Sequence, residues 1–283
     1  MNLQHMNSMT SQSTKERLDI LLLNLGLVST RSQAQALIMA GDVLVDGKPI
    51  TKSGTLVKKD ANIEIKRPPE YVSRGGFKLE KAIKEFSIEV QGKVCVDIGS
   101  STGGFTHCLL KFGAKLVYAI DVGKGLLHPT LINDPRVRLI EGYNARYLEP
   151  GLFPVKPTLA TIDVSFISVR KILPSLLNCL EGEKEIIVLV KPQFEAEYKR
   201  VSKGGIVVKP EFHIEVIDKV ISFSRSLQLY PHGLTFSPIK GKSGNIEYLL
   251  FLSCIMSMKE IDLEKTVEEA FKYFEDNSIT SST

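Results

Sequence analysis

Beyond about residue 78, short apolar runs alternate with helix-compatible stretches, and no other feature of the chain restricts its fold so strongly. Apolar runs fall at 94–97, 116–120, 137–140, 159–162 and 185–190, with helical patterns at 78–86 and 212–227. Near-continuous apolar runs belong to strands covered on both faces, and strands that alternate with helices pair in parallel. The expected class is α/β, a mostly parallel, doubly wound sheet. Two further runs, 232–237 and 246–252, are joined only by the stretch "SPIKGKSGN", too short for a crossover helix, so the last strand is expected to be antiparallel. An amphipathic helix is expected at 257–276, ahead of a polar tail.

In such sheets ligands bind outside the carboxyl ends of the strands. The first strand runs into "VDIGSSTGGFTH", Val96–His107, whose glycines at 99, 103 and 104 match neither the dinucleotide pattern G-x-G-x-x-G nor a P-loop. Asp97 closes that strand where a pyrophosphate would approach. A carboxylate there repels phosphate and attracts an ammonium or sulfonium. Asp121, ending "LVYAID", stands where an acid accepts hydrogen bonds from ribose hydroxyls. A ribose acceptor, no phosphate cradle and an acid beside a cation together describe S-adenosylmethionine. Taken singly, either acid reads equally well as a turn residue and the glycines as loop hinges.

Two more apolar strands end in charge, at Asp163 after "LATI" and Lys191 after "IIVLV". Both are expected on the same rim, close to a transferable methyl, with Pro192 holding Lys191 extended. In "NIEYLLFL" Glu247 shares a face with Leu249 and Phe251 while the alternate positions are also apolar. A carboxylate so enclosed needs a cation. Lys191 is the expected partner.

The amino-terminal third is organised differently. After a polar stretch at 1–14, Leu18, Leu21, Leu22 and Leu25 follow helical spacing and Gly26 can end the helix. Thr30 and Gln33 have capping-box spacing before a second helix with Ala34, Leu37 and Ile38 on its apolar face and Gly41 at its end. A hairpin turning at Asp46-Gly47 and a strand in "ANIEIK" complete a small α+β unit. Residues 1–84 hold 13 Lys and Arg against 8 Asp and Glu, so the chain's whole positive surplus lies there. Arg17, Arg31, Ser32, Lys48 and Lys52, with Arg67 and Arg74 in the stretch "KRPPEYVSRGG", are the expected contacts to a polyanion; a solvated lysine face gives the same count. The divisions are 1–14 disordered tail, 15–66 small domain, 67–77 basic linker, 78–254 main domain and 255–283 helix and tail.

The longest apolar runs fall far short of the ~20 residues that cross a bilayer, and the first residues lack the apolar core of a secretory signal. A cytoplasmic protein without stable membrane association is expected. Cys95, Cys108, Cys179 and Cys254 are scattered, with no CxxC pair or His at ligand spacing, so buried thiols are expected and no metal.

The string "ERLDILLLNLGLVSTRSQAQALIMAGDVLVDGKPI" resembles the small αL RNA-binding motif named for a protein of the small ribosomal subunit. Together with "SRGGFKL", "VDIGSSTGGFTHCLL", "AIDVGKGLL", "NDPRV", "TIDVSFIS", "VKPQFE" and "SGNIEYLLFL", the chain resembles the TlyA family. Its members are ribosomal-RNA 2′-O-methyltransferases that also carry the older name haemolysin. The resemblance implies a Rossmann-like S-adenosylmethionine-dependent methyltransferase domain similar to FtsJ, with a Lys-Asp-Lys-Glu tetrad matching Lys78, Asp163, Lys191 and Glu247. Lys78 comes from the resemblance alone. Expected cofactor contacts are Asp97, Gly99, Ser100, Ser101, Thr102, Gly103, Gly104, Phe105, Asp121, Val122, Gly123, Asn144 and Asp163. The expected reaction is methylation of a ribose, in cytidine, of ribosomal RNA or a ribosomal subunit. Lys191 would orient and deprotonate the 2′-hydroxyl, Asp163 would hold Lys191, and Glu247 would fix the lysine pair. Amino-directed base methylation fits less well, because "DVSF" replaces an Asn/Asp-Pro-Pro-aromatic turn; carbon-directed methylation needs a cysteine that no nearby strand end carries. A non-catalytic RNA-binding assembly factor and a membrane-damaging haemolysin are the competing readings.

Overall fold

A computed structural model describes residues 14–280, apart from 29, 67, 68, 242 and 259; most of the expected tail and Arg67 therefore lie outside the described residues. The chain divides into two units, Met1–Glu70 and Tyr71–Thr283.

The first unit runs β1 (Lys15–Arg17), α1 (Leu18–Asn24), α2 (Arg31–Met39), β2 (Val43–Val45), β3 (Lys48–Pro49), β4 (Leu56–Lys58) and β5 (Ile63–Ile65). Leu18, Leu21, Leu22, Ala34 and Ile38 meet Val43 and Val57 in its core. Leu25, expected on that buried face, is half exposed, because α1 has already ended and Leu25 is its cap. Thr30 Oγ1 accepts a hydrogen bond from the Gln33 N–H, capping α2 as its spacing predicts. β2 pairs antiparallel with β3 and β5, turning at Asp46-Gly47. The β1–β4 pair has no counterpart in the expectations. Three-residue strands reading "KER" and "LVK" carry no period to detect.

The second unit begins with α3 (Gly75–Phe86) and continues through β6 (Val94–Ile98), α4 (Gly104–Lys111), β7 (Leu116–Asp121), α5 (Pro129–Ile132) and β8 (Val137–Glu141). Then follow β9 (Leu159–Ile162), α6 (Leu173–Leu177), β10 (Glu185–Val190), α7 (Pro192–Glu195), α8 (Pro210–Ser226), β11 (Tyr230–Phe236), β12 (Tyr248–Ser253) and α9 (Leu263–Thr280). The strands form one sheet in the order β11-β12-β10-β9-β6-β7-β8. Pairs from β10 through β8 are parallel, while β12 runs antiparallel to both β10 and β11. Apolar cores lie on both faces, one against α6, α8 and α9 and the other against α3 and α4. That double burial is why the strands read as unbroken apolar runs.

Helix α3 starts inside the stretch expected to be a linker. Glycines usually weaken a helix, but here a Cβ on Gly76 would stand 2.2 Å from the Tyr71 ring, so the small residue lets the ring pack on the first turn. The carboxyl-terminal extension also belongs to this unit's core. Val267 and Ala270 of α9 are buried, and Phe271 stacks edge-on against His213 of α8. Cys254 is exposed, correcting the expectation of four buried thiols. Among the described residues no helix is long and apolar enough to cross a membrane, and no cluster of metal-ligating side chains occurs.

Candidate active site

A cavity of about 400 Å³ opens at the carboxyl ends of β6, β7 and β9. Those ends are ragged because each strand gives way there to a turn; Gly99, with φ +82°, lets the β6 turn come so close to β9 that a Cβ would stand 2.3 Å from the Asp163 carbonyl oxygen. Gly99, Ser101, Asp121, Val122, Asn144 and Asp163 line the cavity among the residues expected to hold the cofactor. Ile98, Ile120, Leu126, Tyr143, Ala145, Val164, Ser165, Phe166, Ile167 and Ile172 also line it and were not singled out beforehand. The quoted motif "TIDVSFIS" contained several of them, but only its acid had an evident chemistry.

Asp121 is held rigidly. Its Oδ2 accepts from the Ser101 N–H at 2.8 Å and its Oδ1 from the Gly123 N–H at 2.7 Å. Each carboxylate oxygen keeps a further lone pair for a diol. With apolar walls, no lysine in the turn and this fixed acid, the cavity fits an adenosyl group and not a polyphosphate.

The remaining expected contacts are not brought to the cavity wall. Ser100 and Phe105 are buried, the Ser100 Oγ having no hydrogen-bond partner among the described residues. Gly103 packs on Leu131 and Gly104 on Ser73, Gly123 serves Asp121 through its N–H, and the Thr102 carbonyl accepts from the His128 N–H.

Asp97 overturns its expected role facing a cation. It is fully buried, accepting from the Thr106 hydroxyl at 2.7 Å and the Thr161 hydroxyl at 2.8 Å. Burial pushes its carboxyl up to about 6, against the downward pull of the two threonines. Asp97 thus ties β6 to α4 and β9 beneath the turn. The strand runs one residue beyond the expected end, to Ile98, so Asp97 lies within the ladder and its side chain takes one face or the other, which the sequence did not reveal.

Four charged side chains meet as two ion pairs. Lys191 Nζ lies 2.5 Å from Asp163 and donates to the Ser165 Oγ at 3.2 Å. Lys78 Nζ lies 2.5 Å from Glu247, whose side chain is only 3% exposed. The expected Lys191–Glu247 pair is therefore replaced by one lysine for each acid. Lys191 and Glu247 follow directly on the register pair Val190–Tyr248, so their adjacency was readable. That α3 would deliver a second lysine to the same place was not. Gly241 closes over Glu247, where a Cβ would stand 2.3 Å from its Oε1.

The segment after β9 is clamped from the segment after β10. The buried Glu195 accepts from the Ser168 hydroxyl and the Val169 N–H, each at 2.6 Å, and from Arg170 Nε at 3.2 Å. Phe166 projects from this clamped segment, 92% exposed and with φ +63°, its ring centroid 5.1 Å from that of Phe194. A second pocket, about 630 Å³, adjoins the first, sharing Asn144, Phe166 and Ile167 and adding Arg146, Ser168, Lys171, Gln193 and Phe194.

In the first unit, Arg17 and Arg31 converge on the buried Asp19, at 3.0 and 2.8 Å, and Gln35 donates to it at 3.1 Å. The Arg17 guanidinium, joined by Arg31 and Gln35, holds the Asp19 carboxyl well below the usual carboxylate range despite burial. Both guanidinium groups remain partly exposed, in fixed positions. Ser32, Lys48 and Lys52 are exposed on the same unit, and Arg74 is exposed ahead of α3 in the second.

The FtsJ-like methyltransferase family matches residues 71–254, and the S4 domain matches residues 16–63. Hemolysin A of Brachyspira hyodysenteriae is 46% identical, covering 82% of this chain and 98% of that one. The 16S/23S rRNA (cytidine-2′-O)-methyltransferase TlyA of Mycobacterium tuberculosis is 41% identical over 84% of this chain and 90% of its own. The solved structure of a candidate hemolysin of Streptococcus thermophilus superposes with a TM-score of 0.74 at 42% identity, covering 94% of this chain and 99% of that one.

Proposed function

The chain belongs to the FtsJ-like methyltransferase family, and from that premise we propose that it methylates the 2′-hydroxyl of a cytidine in ribosomal RNA. The S4 domain and the rRNA methyltransferase relatives support ribosomal RNA as the substrate. S-adenosylmethionine, when bound, supplies an electrophilic methyl on a sulfonium. Asp121 holds its ribose, and the apolar wall from Ile98 to Ile120 takes the adenine side. The observation that carries the reading is the Lys191–Asp163 ion pair on the rim of a cavity that already contains a ribose acceptor.

The hydroxyl must be aimed at the methyl and must lose its proton as the new oxygen–carbon bond forms. Lys191 orients the hydroxyl and, entering the step as the neutral amine, takes that proton to become the ammonium that pairs with Asp163. Asp163 and Ser165 fix the lysine, and Lys78, held by Glu247, adds a second positive charge that favours the developing alkoxide. The exposed Phe166 ring beside Phe194 offers a face on which a base can stack. Arg17, Arg31, Lys48 and Lys52 of the S4 domain, with Arg67 and Arg74, contact phosphates.

Lys191→Ala is expected to lower methyl transfer to ribosomal subunits by at least about a thousandfold while leaving S-adenosylmethionine affinity within about twofold. Transfer of labelled methyl and isothermal titration with the cofactor measure the two. Loss of cofactor affinity with retained turnover at saturation would make Lys191 a binding residue and remove it from the chemistry.

A further inference from the structure

The second pocket is built for something other than the cofactor. Among the described residues its lining includes no acid, while Arg146 and Lys171 supply two cations, which suits a ligand that carries phosphate. Gln193, two residues beyond Lys191, contributes a side-chain oxygen that is buried yet accepts no hydrogen bond among the described residues. An acceptor withdrawn from water and left unpaired is costly, and a bound donor removes the cost. The pocket also shares Phe166 and Asn144 with the cofactor cavity, so a ligand seated in it has one edge at the reacting rim.

The pocket therefore offers an aromatic face, flanking cations and one unpaired acceptor. Pyrimidines differ at just the position such an acceptor reads: cytosine presents an exocyclic amine donor where uracil presents a carbonyl oxygen. A carbonyl facing Gln193 Oε1 would leave two acceptors opposed. We propose that this pocket is the acceptor-nucleotide subsite and that Gln193 selects cytidine by accepting a hydrogen bond from the cytosine amine, a role that rests on the ribose-methyltransferase reading above. Glu195, two residues further along, keeps the two walls of the subsite at a fixed separation through Ser168, Val169 and Arg170. Gln193 thereby reads a base held against a rigid wall, the condition under which a single missing hydrogen bond discriminates strongly.

The test uses the full-length protein, ribosomal subunits from cells lacking the enzyme, and S-adenosylmethionine labelled in its methyl group. Digestion to nucleosides identifies which 2′-O-methyl nucleoside carries the label. The wild-type protein is expected to label 2′-O-methylcytidine. Gln193→Met, close in shape but without the acceptor, is expected to lower kcat/KM about 10- to 100-fold. Its thermal midpoint and cofactor affinity should be unchanged. Gln193→Glu, which keeps an acceptor oxygen, should recover part of the loss. A Gln193→Met rate equal to wild type, or equal losses in both variants, overturns the role of Gln193. Label in 2′-O-methyluridine would overturn it too while leaving ribose methylation standing, whereas no label in any 2′-O-methyl nucleoside would sink the proposed function itself.

Discussion

Removing Lys78 should destabilise the second unit far more than removing both members of its ion pair. At 2.5 Å, opposite unit charges attract by about 7 kcal/mol at an effective dielectric of ~20. Desolvation of two nearly buried groups cancels most of that attraction. Lys78→Met leaves the Glu247 carboxylate enclosed beneath Gly241 with no other cation paired to it among the described residues, a loss of about 3–5 kcal/mol. For a unit of this size that corresponds to a fall of roughly 10 °C in melting midpoint. Glu247→Leu should cost less, since the 11%-exposed lysine can turn toward water on its flexible stem. The double variant Lys78→Met/Glu247→Leu should return to within about 2 kcal/mol of wild type, because matched apolar groups replace the pair. Urea unfolding followed by far-UV circular dichroism measures all four corners of the cycle; the chain has no tryptophan, so tyrosine emission is the second probe. All three variants should be inactive in methyl transfer. A cost below about 1 kcal/mol for Lys78→Met, or a double variant as unstable as the two single losses added together, would refute the pairing as the reason these side chains tolerate burial.

Two further outcomes are expected. Asp97, raised to about 6, holds its proton in the folded chain at pH values where the unfolded chain has released it. Its contribution to stability is thus present below about pH 4 and lost as pH rises through about 6, a change of about 3 kcal/mol. Asp97→Asn should lack this component, so the wild-type minus variant difference in urea midpoints, compared at pH 5 and 7.5, should show the wild type gaining on acidification; a pH-independent difference refutes it. For RNA, affinity should fall steeply between about 50 and 200 mM salt, and Arg31→Ala should reduce the salt slope by about one. Fluorescence anisotropy with a labelled ribosomal RNA fragment checks this, and an unchanged slope removes Arg31 from the interface.

How much of this was readable from residue order differs between backbone and side chains. Sheet strands were legible because both faces are buried, so strands such as "IIVLV" stand out, and the shortness of "SPIKGKSGN" announced that the last strand in the chain, β12, runs antiparallel. The rim residues Asp121, Asp163 and Lys191 were legible for a related reason: a charge that ends an apolar strand has few places to go. Partner choice was not. Asp97 and Asp121 both stand near the carboxyl ends of apolar strands, yet one carboxylate turns under the sheet to two threonines and the other faces the cavity. Rotamer direction and the residues that arrive from distant segments decide that, and neither has a sequence period. Lys78 shows the same limit, since its partner lies 169 positions away. Gln193 and Glu195 carry no local signal at all; the first is notable for a missing hydrogen bond and the second for three that converge from another strand's end.

The reversed direction of β12 has a consequence for how this chain tolerates change. Because that strand enters the sheet at the rim where its neighbour β10 leaves, Glu247 is delivered by its place in a ladder, fixed at Val190–Tyr248 and by the Ser237 N–H bonded to the Glu247 carbonyl. A slip of one residue would present Ile246 or Tyr248 to Lys78 and turn the carboxylate to the opposite face. Length changes in the 238–244 loop can therefore be absorbed as long as they stop short of the ladder, whereas an insertion or deletion within β12 should silence the enzyme even when the protein still folds.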